Sequence, residues 1–548
     1  MFKTLHQRLI ELTLLIIFLA MAISACGDDQ SDAESGLPTQ IPTSTARPHA
    51  TITPVAIAAM NEPALVDWEN VDVFKSAMRP EFADDVEQFA NSRRHYIEAT
   101  IEMNPIATVI NGVQRARYTN TYDFPLNSIV FRLVPNTPLT GWRMQVSDLT
   151  MNGEAVQPTY EVYETVMEVP LDQPLQPGES VEFTMRFNLV AERGFSNGIF
   201  ANTGDIFASP VWYPCFGVYD EGVGWWKGVY ANADPYYNET GLFEIMLTHS
   251  PDLNITISGT NIGTEENADG SVTEHIVSGP MRDNFMFASP KSGKLTDSVD
   301  GITINVVYMP GGERASEWAM ESGIRSFSIF NDVYGEYPYN ELDIIEIDLR
   351  GQAGGVEFSG AVTIADDFWE NGSPQLEGVI AHEIGHQYWY GLVGNNAITK
   401  TWLDEALASY SEFVYWRAAY DDNEKRANDS IDGDRNFYNF ARSNGGDYPL
   451  TTISWNTCGD LNNCFLPYTK GALFYVELEK EYSRELVYQA LHAYFEDMHY
   501  KVAAEADLLR NFEAVIGEDL DAYFYEWIGD FVGLDPEAKA EVDKERSQ

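Results

Sequence analysis

One short string restricts what this chain can fold into more than any other. It is Ala381-His382-Glu383-Ile384-Gly385-His386, followed after an eighteen-residue gap by Glu405 inside Trp402-Leu403-Asp404-Glu405-Ala406. In a helix over residues 374 to 391, His382 and His386 stand one turn apart on the same face, separated by roughly 6 Å of rise. Two imidazoles so placed can bind one metal ion. Glu383, next to the first ligand but rotated off it, can hold the water that such a metal activates. A metal that does chemistry needs three protein ligands and an open fourth position, and Glu405 on a second helix would complete the set. Imidazole and carboxylate ligands in this pattern favour one zinc ion.

Local signals agree with two helices. Ser373-Pro374 reads as an N-cap and first helical residue, and Val379, Ile380 and Ile384 supply an apolar stripe. Thr401 reads as the cap of a helix from about 402 to 420. On that helix Glu405, Ser409 and Glu412 share a face, which makes Glu412 a candidate to accept a hydrogen bond from a ligand imidazole rather than a simple solvated carboxylate. The bland alternative is a chance string on an exposed helix, against which the remote Glu405 argues.

With these residues in place the chain resembles the gluzincin zinc aminopeptidases, the family of membrane alanyl aminopeptidase and leukotriene hydrolase, over most of residues 95 to 535. The resemblance implies zinc ligands at His382, His386 and Glu405, a general base at Glu383, and a Tyr that steadies the oxyanion at Tyr468. Tyr468 lies in Tyr468-Thr469-Lys470-Gly471-Ala472, which looks like the family's Tyr-x-Lys-Gly segment. A phenol can donate to the oxygen of a tetrahedral intermediate, although in a chain with 29 Tyr a packed ring is the competing explanation. Gly354-Gly355-Val356-Glu357-Phe358 is similar to the family's Gly-x-Met-Glu-Asn segment, whose Glu holds the free amino group of the substrate. Glu357, led in by Gly354 and Gly355, would do so here. A carboxylate near the metal pairs with an ammonium group and leaves room for one residue before the cleaved bond. Val356 and Phe358 depart from the family's Met and Asn, and a strand surface charge is the other explanation of Glu357.

The fold that follows is multidomain: an N-terminal all-β domain, then a thermolysin-like α+β metallopeptidase domain with a helical C-terminal half. Residues 95 to about 300 show short alternating segments such as Tyr96-Ile97-Glu98-Ala99-Thr100-Ile101, broken by Gly, Pro and Asn. Residues 64 to 92 read as a helical segment lying over that domain. Residues 301 to 535 hold the catalytic domain: a helix over about 316 to 333, a buried strand over 342 to 349, a further strand over 356 to 364 that could pair with a substrate backbone, and helices from 374 to about 531. Residues 536 to 548 read as a charged tail. Many members of the family continue into a large helical domain that closes over the active site. This chain reads as a short form without it, with a more open cleft or one closed by a second subunit.

Composition sets the outer limits. At 548 residues, 44% hydrophobic and 13% aromatic, the chain has the apolar content for two or three packed domains. A net charge of −50, from 84 acidic against 34 basic side chains, argues against nucleic acid or anionic lipid as a partner of the body. Residues 1 to 26 read as an export signal: Lys3 and Arg8 precede an apolar run over 12 to 23 that ends at Ser24-Ala25-Cys26, similar to a bacterial lipobox with Cys26 as the lipidated residue. Residues 27 to 63, rich in Asp, Ser, Thr and Pro, read as a disordered tether. Together these point to an exported bacterial lipoprotein, on the cell surface or periplasmic side, touching membrane only through its lipid. Export makes a small disulfide between Cys458 and Cys464 feasible and leaves Cys215 as a buried thiol. The expected activity is a zinc aminopeptidase acting on peptides with a free N-terminus. An endopeptidase of the same fold and an inactive peptide-binding lipoprotein are the alternatives.

Overall fold

Alternating burial organises the first half of the protein. The computed structural model describes residues 66–546 apart from 197–198, 221–222, 229–236, 350–352, 421–422, 455–456 and 459–460. The export signal, Cys26 and the tether lie outside the described residues. Strands Arg93–Met103 and Ser180–Glu192 bury nearly every second side chain, as a sheet with one face on a core must. They belong to an eight-stranded sheet whose middle runs Gly241–His249, Arg93–Met103, Ala107–Thr119, Ser180–Glu192 and Arg143–Met151. A five-stranded and a four-stranded sheet pack with it around a core that includes Phe131, Phe183, Trp212 and Phe216. Cys215 is buried there, its thiol pushed up to about 12 by that burial.

The second half begins earlier than the expected boundary at 300. Strand Gly293–Val299 pairs with Ile302–Tyr308, so it belongs to the catalytic sheet. That sheet runs Gly293–Val299, Ile302–Tyr308, Glu341–Ile347, Ala361–Ala365 and Gly355–Phe358. Of its three parallel inner strands, Glu341–Ile347 and Ala361–Ala365 are buried almost throughout, because helices cover the sheet. The single strand expected over 356 to 364 is instead a hairpin. Gly355–Phe358 turns at Ser359-Gly360, where Gly360 has φ +73°, and pairs antiparallel with Ala361–Ala365. Gly355–Phe358 is thereby an edge strand.

Helix Glu313–Val333 leads into the helical half: Pro374–Tyr388, Trp402–Ala419, Asn423–Ser443, Leu466–Glu481, Arg484–Met498, Glu505–Ile516 and Asp521–Trp527. The tail is structured as well: Pro536–Arg546 is helical, and Tyr525 donates to Asp543 at 2.8 Å. The segment expected over the β domain forms 3-10 turns, Asp72–Ala77 and Pro80–Phe89, and straddles both halves. Arg79 donates to the Tyr337 carbonyl and Tyr500 to the Asp85 carboxylate, so it ties the catalytic domain down. No helix of the described residues is long and apolar enough to cross a membrane. Cys458 and Cys464 are joined by a disulfide.

Candidate active site

Helix Pro374–Tyr388 starts where its sequence signals place it. Ser373 accepts from the Leu376 amide, and Pro374 occupies the first turn. The helix is buried along its C-terminal half, and Gly385 lets it press against helix Trp402–Ala419. A Cβ at that position would stand 3.0 Å from the Ser411 Cβ. The second helix starts differently from expectation: Thr401 does not cap it. Its backbone is already helical, and its hydroxyl donates back to the Ala397 carbonyl at 2.9 Å.

This contact brings three ligand-type side chains to one point. The Nε2 atoms of His382 and His386 lie 3.2 and 3.3 Å from the same Glu405 oxygen, Oε2. Each imidazole turns its other nitrogen to an acceptor: His382 Nδ1 to Glu412 Oε1 at 3.0 Å, and His386 Nδ1 to the Trp389 carbonyl at 3.1 Å. Such partners hold the proton on Nδ1 and leave Nε2 as a donor to a metal. Tyr468, on helix Leu466–Glu481, donates to the second Glu405 oxygen, Oε1, at 2.6 Å. The donor set of two imidazoles and one carboxylate fits one zinc ion of the catalytic kind, with three protein ligands.

Glu383 is buried beside this set, and its Oε2 has no hydrogen-bond partner among the described residues. A buried carboxylate oxygen left without a partner is costly, and it fits a group that holds a water or a proton in use. Burial, opposed by the His382 charge and aided by Glu405 and Glu412, pushes the Glu383 carboxyl up to about 8. Burial would lower His382, but the carboxylates of Glu405 and Glu412 hold it well above its ordinary value. Glu405 runs the other way: burial would raise it, and the two imidazoles hold it well below the carboxylate range. The neighbouring carboxyl groups therefore differ in the direction of their shifts, one toward a proton carrier and one toward a permanent anion.

The edge strand supplies the fourth carboxylate. Glu357 is buried, and an oxygen of its side chain lies within 4.8 Å of a Glu383 oxygen and a His386 ring nitrogen. Gly355 is forced by the same proximity: a Cβ there would stand 2.4 Å from Glu383 Oε1. Gly354 faces Val379 of the first helix, where a Cβ would meet Cγ2 at 3.3 Å. The two glycines thus let the strand lie against the helix.

Two residues that the sequence reading passed over hold this arrangement. Gln387, directly after His386, donates from Nε2 to the Phe358 carbonyl at 2.9 Å and accepts the Gly360 amide at 3.0 Å. Its position beside a metal ligand in a buried helix is the available signal. Asp283, from the end of the β domain, accepts the Ser359 amide at 3.0 Å and also the Tyr390 hydroxyl. No local pattern marks it.

Residues 318–527 match the peptidase family M1 domain. The chain is 24% identical over 282 residues to aminopeptidase M1-B of Oryza sativa subsp. japonica, covering 47% of this chain and 32% of that protein. It is 22% identical over 273 residues to aminopeptidase N of Haemonchus contortus, covering 46% and 28%. It thus spans about a third or less of the length of these curated relatives. Among solved structures, an M1 zinc metallopeptidase mutant from Deinococcus radiodurans superposes with a TM-score of 0.60 at 18% identity, covering 82% of this chain and 97% of that one. A two-domain M1 zinc metallopeptidase mutant bound to L-arginine gives 0.60 at 17% identity, covering 81% and 95%. The two-domain architecture, β-rich and then mixed with a helical second half, is the shared fold.

Proposed function

We propose that the protein is a zinc-dependent aminopeptidase that hydrolyses the first peptide bond of peptides outside the cytoplasm. The observation that carries this reading is the position of Glu357, a buried carboxylate within 4.8 Å of both the Glu383 carboxylate and a His386 nitrogen. An anion there pairs with the α-ammonium group of a substrate, and the short distance leaves space for a single residue ahead of the cleaved bond. Relatives named aminopeptidase N and M1, and the M1 domain itself, support the same reading.

His382, His386 and Glu405 would hold a zinc ion, which would supply Lewis acidity at the site and bring the pKa of a bound water down to about 7. Glu383 takes the proton of the attacking water and delivers it to the leaving amine. Tyr468, whose hydroxyl already lies at the Glu405 carboxylate, donates to the oxyanion of the tetrahedral intermediate. Glu412 and the Trp389 carbonyl keep the two imidazoles oriented.

The location rests on the sequence: the run ending at Ser24-Ala25-Cys26 supports a lipid-anchored export product, and the Cys458–Cys464 disulfide suits an oxidising compartment. Fractionation tests it, since Cys26→Ala should release the protein from the membrane pellet. The activity is tested on aminoacyl reporters and on the same peptides with and without N-acetylation. Free N-termini should be strongly preferred, and Glu357→Gln should weaken hydrolysis of free peptides while sparing acetylated ones. Equal cleavage of both by the unaltered protein would favour the endopeptidase alternative.

A further inference from the structure

The strand that carries Glu357 has only four residues, Gly355–Phe358, and among the described residues it is paired on one side alone. A strand so short and at an edge is held weakly by its own ladder. Its position nevertheless decides the distance between the amine anchor and the metal ligands. The turn that follows it is gripped from two sides. From the catalytic helix, Gln387, which is 1% exposed, donates to the Phe358 carbonyl and accepts the Gly360 amide, and Tyr337 donates to the same Gln387 oxygen at 3.4 Å. From the β domain, Asp283 accepts the Ser359 amide at 3.0 Å and its hydroxyl at 3.4 Å, and the Arg282 amide donates to that hydroxyl at 3.2 Å. Phe285 stacks on Phe358 with ring centroids 4.1 Å apart and planes 9° from parallel.

We infer that Gln387 and Asp283 are positioning residues that set how far Glu357 stands from the metal ligands, and so hold the enzyme to the removal of one residue at a time. The inference rests on the aminopeptidase reading above. Its physical basis is that Gln387 is bonded covalently to His386. Side chains of successive helical residues point about 100° apart, so one helix turn aims His386 at the metal site and Gln387 at the hairpin. The separation of metal and amine anchor is then fixed by one covalent step and two hydrogen bonds, independent of the weak edge ladder. Asp283 applies the opposing grip, which assigns the β domain a part in choosing the cleavage register.

The test uses the whole protein and begins with zinc content. Gln387→Met should keep its zinc, raise KM for free-N-terminus reporters about tenfold or more, change kcat less, and leave hydrolysis of N-acetylated peptides where it was. Mass spectrometry of longer free peptides should show dipeptides released alongside single residues. Gln387→Glu, which can accept the Gly360 amide but not donate to Phe358, should fall between. Asp283→Asn leaves the catalytic helix untouched and should move the free-to-acetylated ratio in the same direction by less; it decides the matter if Gln387→Met loses zinc. Unchanged KM in these variants, or equal losses on free and acetylated substrates, would overturn the inference. A Glu357→Gln effect on free peptides without any Gln387 effect would sink this inference alone, whereas indifference of the unaltered protein to N-acetylation would sink it together with the reading it rests on.

Discussion

Glu357, the proposed amine anchor, lies within 4.8 Å of the proposed metal ligand His386, yet the two are held by different means. His382, His386 and Glu405 stand on helices of 15 and 18 residues, buried against each other where Gly385 meets Ser411. Each ligand inherits its direction from helix geometry, and the Nδ1 partners remove the last torsional freedom. Glu357 stands on a four-residue edge strand whose place depends on side chains from residues 283 and 387. A centre that must bind a cation in one geometry sits on stiff local structure. The proposed anchor, which would choose where a substrate stops, sits on a strand set by distant contacts, so that register could change without disturbing the metal site.

The contrast can be broken most severely at the base. Glu383→Gln should leave zinc bound and lower kcat by roughly two to four powers of ten, read by metal analysis beside steady-state kinetics; full activity would remove Glu383 from the mechanism. A smaller effect is expected where the regions touch. Gly355→Ala places a methyl group 2.4 Å from Glu383 Oε1, so the carboxylate must shift, and turnover should fall about tenfold to a hundredfold with zinc content unchanged. A normal rate would mean that the strand yields instead of the base. On the metal side, Glu412→Gln should weaken zinc about tenfold to a hundredfold in a chelator competition while sparing the free-to-acetylated ratio.

The smallest effect concerns the anchor side and pH. Burial, opposed by the hydrogen bonds of Tyr390 and Ser359, raises the Asp283 carboxyl to about 6 from an ordinary 3.8. The folded state therefore favours the protonated form. The stability this contributes is full below about pH 4 and is lost as pH rises through 6. Relative to Asp283→Asn, whose side chain does not titrate, the unaltered protein should accordingly lose thermal stability as pH rises from 4 to 7. A constant gap would show that Asp283 is ionised throughout.

What could be read in the chain follows the same division. The helix over the His-Glu segment, its Ser373 cap and the shared face of Glu405 and Glu412 rest on spacing within a few residues, and the observed helix begins at Pro374 as those signals require. The Thr401 cap failed because the backbone there is already helical and the hydroxyl finds Ala397 instead. The Ser359-Gly360 turn was hidden inside an apolar run, since burial on both faces erases alternation. The role of residues 72 to 89 as a strap across both halves depends on Tyr337 and Tyr500, far along the chain, and no local pattern announces it.

By itself the sequence determined which side chains could serve as ligands and base, and the angular relation of His382 to His386, because a helix repeats its geometry from residue to residue. Only the tertiary structure decided that Glu405 Oε2 meets both imidazoles, that Tyr468 reaches the other Glu405 oxygen, and that Glu357 is held beside Glu383 by Gln387 and Asp283. Those meetings join residues up to about a hundred positions apart. They come from how helices, strands and loops pack as a whole, for which the short-range preferences of the chain carry no term.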